Sequence, residues 1–199
     1  MQNHMKKIAF FGGSFDPIHF GHLNLAIQMK ERFELDQVLF SPTPCSPFKL
    51  DSPPGASLEH RSKMIKKAIN EIDSFLLCEI ESKFEKISYT IDALLELKQI
   101  NLDAQIFLIL SNEAFKGFNK WKESDKILEI ATILVGSRDN YLPDGELLGK
   151  IPKENFVKMP ILDISATEIR ERLKKDLYCG HLVNHKVLEY IELHKLYQS

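Results

Sequence analysis

Between the apolar run Ile8 to Phe11 and a helical pattern, the chain reads Gly12-Gly13-Ser14-Phe15-Asp16-Pro17-Ile18-His19-Phe20-Gly21-His22. Adjacent glycines let a backbone turn sharply and approach a ligand closely, and the following helix offers free N–H groups and a positive dipole end to an anion. His19 and His22, three apart near a helix start, can face one side and donate imidazole N–H groups to phosphate oxygens, with Gly21 leaving room for a nucleotide against the backbone. The same spacing is half of a zinc site, but no acidic or cysteine ligand is spaced to complete it, so the segment reads as a phosphate site.

A second candidate is Ile164-Ser165-Ala166-Thr167-Glu168-Ile169-Arg170-Glu171-Arg172-Leu173. Ser165 with Glu168 three residues on forms a capping box, which alone accounts for both in structural terms. Thr167 and Arg170 add a hydroxyl and a forked cation to the first turns of that helix, as a phosphate grip requires.

The elements that must carry these groups follow from hydrophobic period. Lys6 to Phe11, Gln37 to Ser41, Phe75 to Cys78, Ile106 to Leu110 and Thr132 to Val135 read as buried strands. Leu23 to Phe33, Leu58 to Ile72, Tyr89 to Ile100, Asp125 to Ile130, Ala166 to Lys175 and Lys186 to Tyr197 read as helices. This alternation predicts an α/β, Rossmann-like, doubly wound parallel sheet with helices on both faces and a small C-terminal helical portion, its chemistry just beyond the carboxyl ends of the strands. One domain over 1–199 is expected, with a core over 1–160 and the helical portion over 161–199. Pro42, Pro44, Pro47, Pro53 and Pro54 mark a loop that could act as a lid, and Ser137 to Asn155 reads as irregular.

The chain has 199 residues, 44% of them hydrophobic and 27% charged, with a formal net charge of -2. That balance argues against a nucleic-acid partner, and the three separated cysteines Cys45, Cys78 and Cys179 form neither a disulfide framework nor a zinc knuckle. No apolar run suits a signal peptide or a membrane span, so a cytoplasmic protein with no membrane partner is expected. The stripe Val187, Tyr190, Ile191, His194 and Tyr197 could pack on its own domain or on a second chain, which leaves a homo-oligomer open.

Together the two motifs resemble the HxGH and ISSTxIR signatures of the nucleotidyltransferase superfamily, here His19 to His22 and Ile164 to Arg170. The opening Gly12 to His22 is similar to the GGTFDPxHxGH of bacterial nicotinate-nucleotide adenylyltransferases, and the likeness runs from Lys7 to Tyr197. Pro47-Phe48-Lys49 resembles that family's PPHK, His60-Arg61-Ser62-Lys63-Met64 its HRxxM, Ser88-Tyr89-Thr90 its SYT, Trp121 its WxxxxxI, and Leu193 to Tyr197 its C-terminal end. Departures are Phe48 for a His, Lys83 near an expected Arg, Ser111 and Glu113 for a Gly and an Asp, Ala166 for a Ser, and Val183-Asn184 for Val-Pro.

The resemblance implies transfer of an adenylyl group from ATP to nicotinate mononucleotide. It implies that His19, His22 and Arg170 are catalytic and hold the ATP phosphates. Gly12, Gly13, Ser14, Phe15, Gly21, Ser111, Glu113, Ile164, Ser165 and Thr167 would complete the ATP site. Asp16, Lys49, Tyr89, Thr90 and Trp121 would serve the acceptor, with Trp121 stacked on the pyridine ring and Tyr89 and Thr90 meeting its carboxylate. Mg²⁺ would travel on ATP without dedicated protein ligands. Other acceptors, nicotinamide mononucleotide or phosphopantetheine, and a catalytically degenerate nucleotide-binding module are the alternative readings.

Overall fold

Each apolar run becomes a strand: β1 (Lys7–Gly13), β2 (Gln37–Pro42), β3 (Phe75–Leu77), β4 (Gln105–Ser111) and β5 (Thr132–Ser137). Residues 8–11 of β1 and 106–110 of β4 are buried without alternation, as strands covered on both faces must be. A sixth strand, β6 (Phe156–Lys158), lies just past the irregular stretch, where the sequence assigns no element, being three residues long and too short to display a period. The computed structural model describes residues 5–45, 53–83, 88–137, 149–160 and 162–198.

The strands form one six-stranded parallel sheet in the order β3-β2-β1-β4-β5-β6, the doubly wound α/β arrangement expected. The helices are α1 (Phe20–Phe33), α2 (Leu58–Ile69), α3 (Thr90–Ile100), α4 (Asn112–Lys116), α5 (Ser124–Ile130), α6 (Ala166–Lys174) and α7 (His185–Leu193). Helix α1 starts before Leu23, at Phe20, because Phe20, Gly21 and His22 are helical without belonging to the apolar stripe. Helix α4 was not expected, since a five-residue helix shows no amphipathic period. Helix α7 stops at Leu193 and not at Tyr197: Lys195 and Tyr197 take φ of 50° and 64°, and the chain turns away from the helix axis. No described helix is long and apolar enough to cross a membrane.

The chain divides into two compact units, each sewn from three stretches. The first comprises Met1–Gly12, Leu25–Leu39 and Tyr89–Ile161. In it β4 pairs Ile106 with Ile8 and Leu108 with Ile133, while β5 pairs Val135 with Phe156. A Cβ at Gly136 would meet the end of the Leu25 side chain, so glycine lets that leucine pack close against β5 without shifting. The second comprises Gly13–Asn24, Phe40–Ser88 and Leu162–Ser199. There α2 packs on α7, burying Met64, Ile65 and Ala68 of one and Val187, Leu188 and Ile191 of the other. The His60 Nδ1 lies 2.9 Å from the Tyr190 hydroxyl at the same contact.

Candidate active site

In the second unit Gly13 ends β1 and the chain turns through Phe15, whose φ is 47° and whose ring is buried. That ring fills the space beside Gly13, where a Cβ would lie 3.2 Å from it, and packs edge-on against His22 at 5.0 Å. His19 and His22 stack with ring centroids 3.7 Å apart and planes 24° from parallel. The backbone N–H of His19 donates to His22 Nδ1 at 3.3 Å, so the proton of a neutral His22 ring sits on Nε2, which is then a donor. Gly21 gives this stack room: a Cβ there would crowd His19 Nδ1 at 3.0 Å and touch the Ile164 carbonyl at 3.8 Å.

At α6 the capping box is half made, with Ser165 Oγ accepting from the Glu168 N–H at 3.1 Å. The Ser165 hydroxyl keeps its own proton to donate. One turn on, Arg170 Nη2 donates to Thr167 Oγ1 at 3.2 Å, and Nη1 donates to the Asp16 carbonyl oxygen at 2.8 Å. Residues 154 apart in sequence, one from each motif, are thus joined directly.

Asp16 is buried, and its carboxylate is engaged by the chain itself. Oδ2 accepts from the Gly55 N–H at 2.7 Å and lies 3.7 Å from Arg170 Nη1; Oδ1 accepts from the Ala56 N–H at 3.0 Å and from the Tyr197 hydroxyl at 2.6 Å. Burial, then the charge of Asp16, push the Tyr197 phenol far above its ordinary range, which keeps it protonated and donating.

Two residues absent from the expected site organise its surroundings. Arg61 is 1% exposed and donates to the carbonyls of Ala56 (3.1 Å), Ser14 (2.7 Å), Thr43 (2.9 Å) and Pro44 (3.3 Å). It ties the glycine turn to the segment after β2 and to the start of α2, and burial lowers its pKa while Asp16 opposes the shift. Glu81 is also buried; it accepts from Ser88 Oγ at 2.6 Å and Thr43 Oγ1 at 3.3 Å, and burial raises its carboxyl pKa. Ser88 therefore does not cap α3, a role taken by Tyr89 without a side-chain bond. Arg61 was visible only within the HRxxM resemblance, whereas Glu81 had no local signal.

Tyr89, Thr90, Ser111, Glu113 and Trp121 lie in the first unit. Thr90 opens α3 and Tyr89 precedes it, with Lys122 Nζ 4.7 Å from the Tyr89 ring centre and 3.1 Å from Asp92 Oδ2. Trp121 closes a short 3₁₀ turn, half-buried, its ring 5.5 Å from that of Phe118. Ser111 caps α4, accepting from the Ala114 N–H at 3.2 Å, while Glu113 is exposed in the first turn of α4. Lys49 lies outside the described residues, as does most of the proline loop.

Residues 10–172 match the cytidylyltransferase-like family, a nucleotidyltransferase class. A "Probable nicotinate-nucleotide adenylyltransferase" of Methylacidiphilum infernorum is 36% identical over 193 residues, covering 96% of this chain and 92% of the relative. Another of the same name, from Dictyoglomus thermophilum, is 39% identical over 195 residues, covering 96% and 99%. In fold, the chain matches a Plasmodium falciparum nicotinic acid mononucleotide adenylyltransferase complexed with NaAD at a TM-score of 0.80 and 22% identity, covering 96% and 97% of the two chains. The chain belongs to the nicotinate-nucleotide adenylyltransferase family.

Proposed function

We propose that this chain transfers the adenylyl group of ATP to nicotinate mononucleotide, giving nicotinate adenine dinucleotide and pyrophosphate. The observation that carries the reading is the bond from Arg170 to the Asp16 carbonyl, which brings the two phosphate motifs into one cluster of hydrogen-bond donors. Family membership supports the acceptor.

An ionised phosphate oxygen of the acceptor attacks the α-phosphorus in line, the bond from that phosphorus to the bridging oxygen breaks, and pyrophosphate leaves with the electron pair. No protein nucleophile is needed, so the chain acts by positioning and by neutralising the charge that grows on the leaving group. His22, through Nε2–H, and His19 donate to phosphate oxygens. Arg170 offers its fork, Ser165 and Thr167 their hydroxyls, and Gly12, Gly13, Ser14, Phe15, Gly21 and Ile164 shape the backbone around the nucleotide. Ser111 and Glu113 serve the adenosine side. Thr90, at the positive end of α3, and Tyr89 meet the nicotinate carboxylate, and Trp121 stacks on its ring. Lys49 supplies a further cation.

Around the phosphates these side chains act as hydrogen-bond donors, and the Asp16 carboxylate is already engaged by chain groups. Such a set suits Mg²⁺ delivered on ATP, held by phosphate and water oxygens, where it supplies charge neutralisation.

The test is pyrophosphate release from Mg-ATP with nicotinate mononucleotide, beside nicotinamide mononucleotide and phosphopantetheine at equal concentration. Preference for the nicotinate form is expected. Preference for either rival would overturn the acceptor, and binding of ATP without turnover on any of them would indicate a degenerate module.

A further inference from the structure

The Tyr197 hydroxyl reaches Asp16 across 181 residues of sequence, and it does so from a backbone conformation that an aromatic residue rarely adopts, φ 64°. The chain leaves α7 through Lys195, also at positive φ, and lays the Tyr197 ring against Gly55, where a Cβ would lie 3.4 Å from it. Such a conformation persists only where surrounding contacts over-determine it. Here the hydroxyl is directed at Asp16, whose Oδ2 faces Arg170 Nη1 at 3.7 Å and whose carbonyl accepts from the same nitrogen at 2.8 Å.

Arg170 has two faces in this arrangement. Nη1 is spent on Asp16, Nη2 on Thr167, and the side chain remains 29% exposed, so its outer edge is free to meet an anion while its inner edge is fixed. Without the Tyr197 hydroxyl on Oδ1, the carboxylate would be held by the two backbone N–H groups alone and could rotate toward the guanidinium, drawing it into a tighter pair and away from any phosphate.

We propose that Tyr197 is a positioning residue for adenylyl transfer: its hydroxyl fixes the Asp16 carboxylate, and Asp16 in turn aims Arg170 at the ATP phosphates. The proposal rests on the reading of Arg170 as a phosphate ligand given above. It assigns Asp16 to the orientation of a cation rather than to direct contact with the acceptor.

Calorimetric titration with Mg-ATP of the full chain and of Tyr197→Phe, Arg170→Ala and the double variant tests it, with KM values for both substrates measured alongside. Losing a hydrogen bond to a charged group should weaken Mg-ATP binding about tenfold in Tyr197→Phe and raise its KM equally, with the acceptor KM within about twofold. Because Tyr197 acts through Arg170, the double variant should bind Mg-ATP no more weakly than Arg170→Ala. Unchanged Mg-ATP affinity in Tyr197→Phe, an equal rise in both KM values, or additive losses in the double variant would overturn the proposal. If Tyr197→Phe does not fold, Asp16→Asn, which keeps the ring and the hydroxyl, takes its place with the same expected loss. A wild-type chain that binds Mg-ATP but transfers nothing to nicotinate mononucleotide overturns the acceptor assignment alone, and the titrations still decide Tyr197. A wild-type chain that binds no Mg-ATP overturns both.

Discussion

Asp16 is buried, with both carboxylate oxygens accepting from amides and a phenol, whereas Trp121 is half-buried and touches Phe118 ring to ring at 5.5 Å. The difference extends to their surroundings. Arg61, Asp16, Glu81 and Arg170 knit the second unit's loops by directed bonds, while in the first unit the candidate residues hang on aromatic packing, a helix start and an exposed ion pair of Lys122 with Asp92. Handling phosphate charge demands donors fixed in direction, because Coulombic and hydrogen-bond energies fall off steeply with misalignment. Recognising a flat ring rests mainly on buried apolar area, to which stacking geometry adds a smaller share.

The contrast can be broken or sharpened by substitution. His22→Ala removes one directed donor and should lower turnover about 10²–10³-fold in pyrophosphate-release assays, with little change in melting temperature. Arg61→Met leaves the carbonyls of Ser14, Thr43 and Ala56 without their buried donor and should cost about 3 kcal/mol of stability in denaturant titrations. Trp121→Ala should raise the KM for nicotinate mononucleotide about tenfold and leave that for Mg-ATP in place; a rise for Mg-ATP instead would dissolve the contrast.

The smallest effect is on pH dependence. Burial raises the Glu81 carboxyl pKa in the folded chain, so the folded state keeps a proton that the unfolded state has already lost. That contribution to stability is complete below the ordinary carboxylate range and disappears as pH rises through the folded value. In Glu81→Gln the melting temperature should lack this decline; identical pH profiles for the two chains would show that Glu81 does not titrate in the window.

Much of this was legible along the chain. Five strands declared themselves as apolar runs: β1, β2, β4 and β5 because strands covered on both faces need no polar residue, and β3 as a short apolar edge strand with Leu76 exposed. The glycine turn and the cap of α6 were legible because such features are local, and Ser165 does cap α6. What escaped reading is what only tertiary contact defines. Glu81 sits in a three-residue 3₁₀ turn and matters through Thr43 and Ser88, and Tyr197 fits the α7 stripe by spacing although the helix has ended before it. The helix α4 and strand β6 are shorter than the period that would reveal them.

The bonds joining Asp16 to Arg170 and Tyr197 close stretches of 154 and 181 residues. Contacts so distant in sequence form late, since the entropy of closing the loop is lost before the contact returns anything. Synthesis imposes the same order, because α2 leaves the ribosome long before α7, which covers Met64, Ile65 and Ala68. A nascent chain that has emerged only to residue 160 therefore carries the glycine turn and both histidines but neither Arg170 nor the cover for α2. Such a chain is an apolar target for chaperones before it can grip a nucleotide.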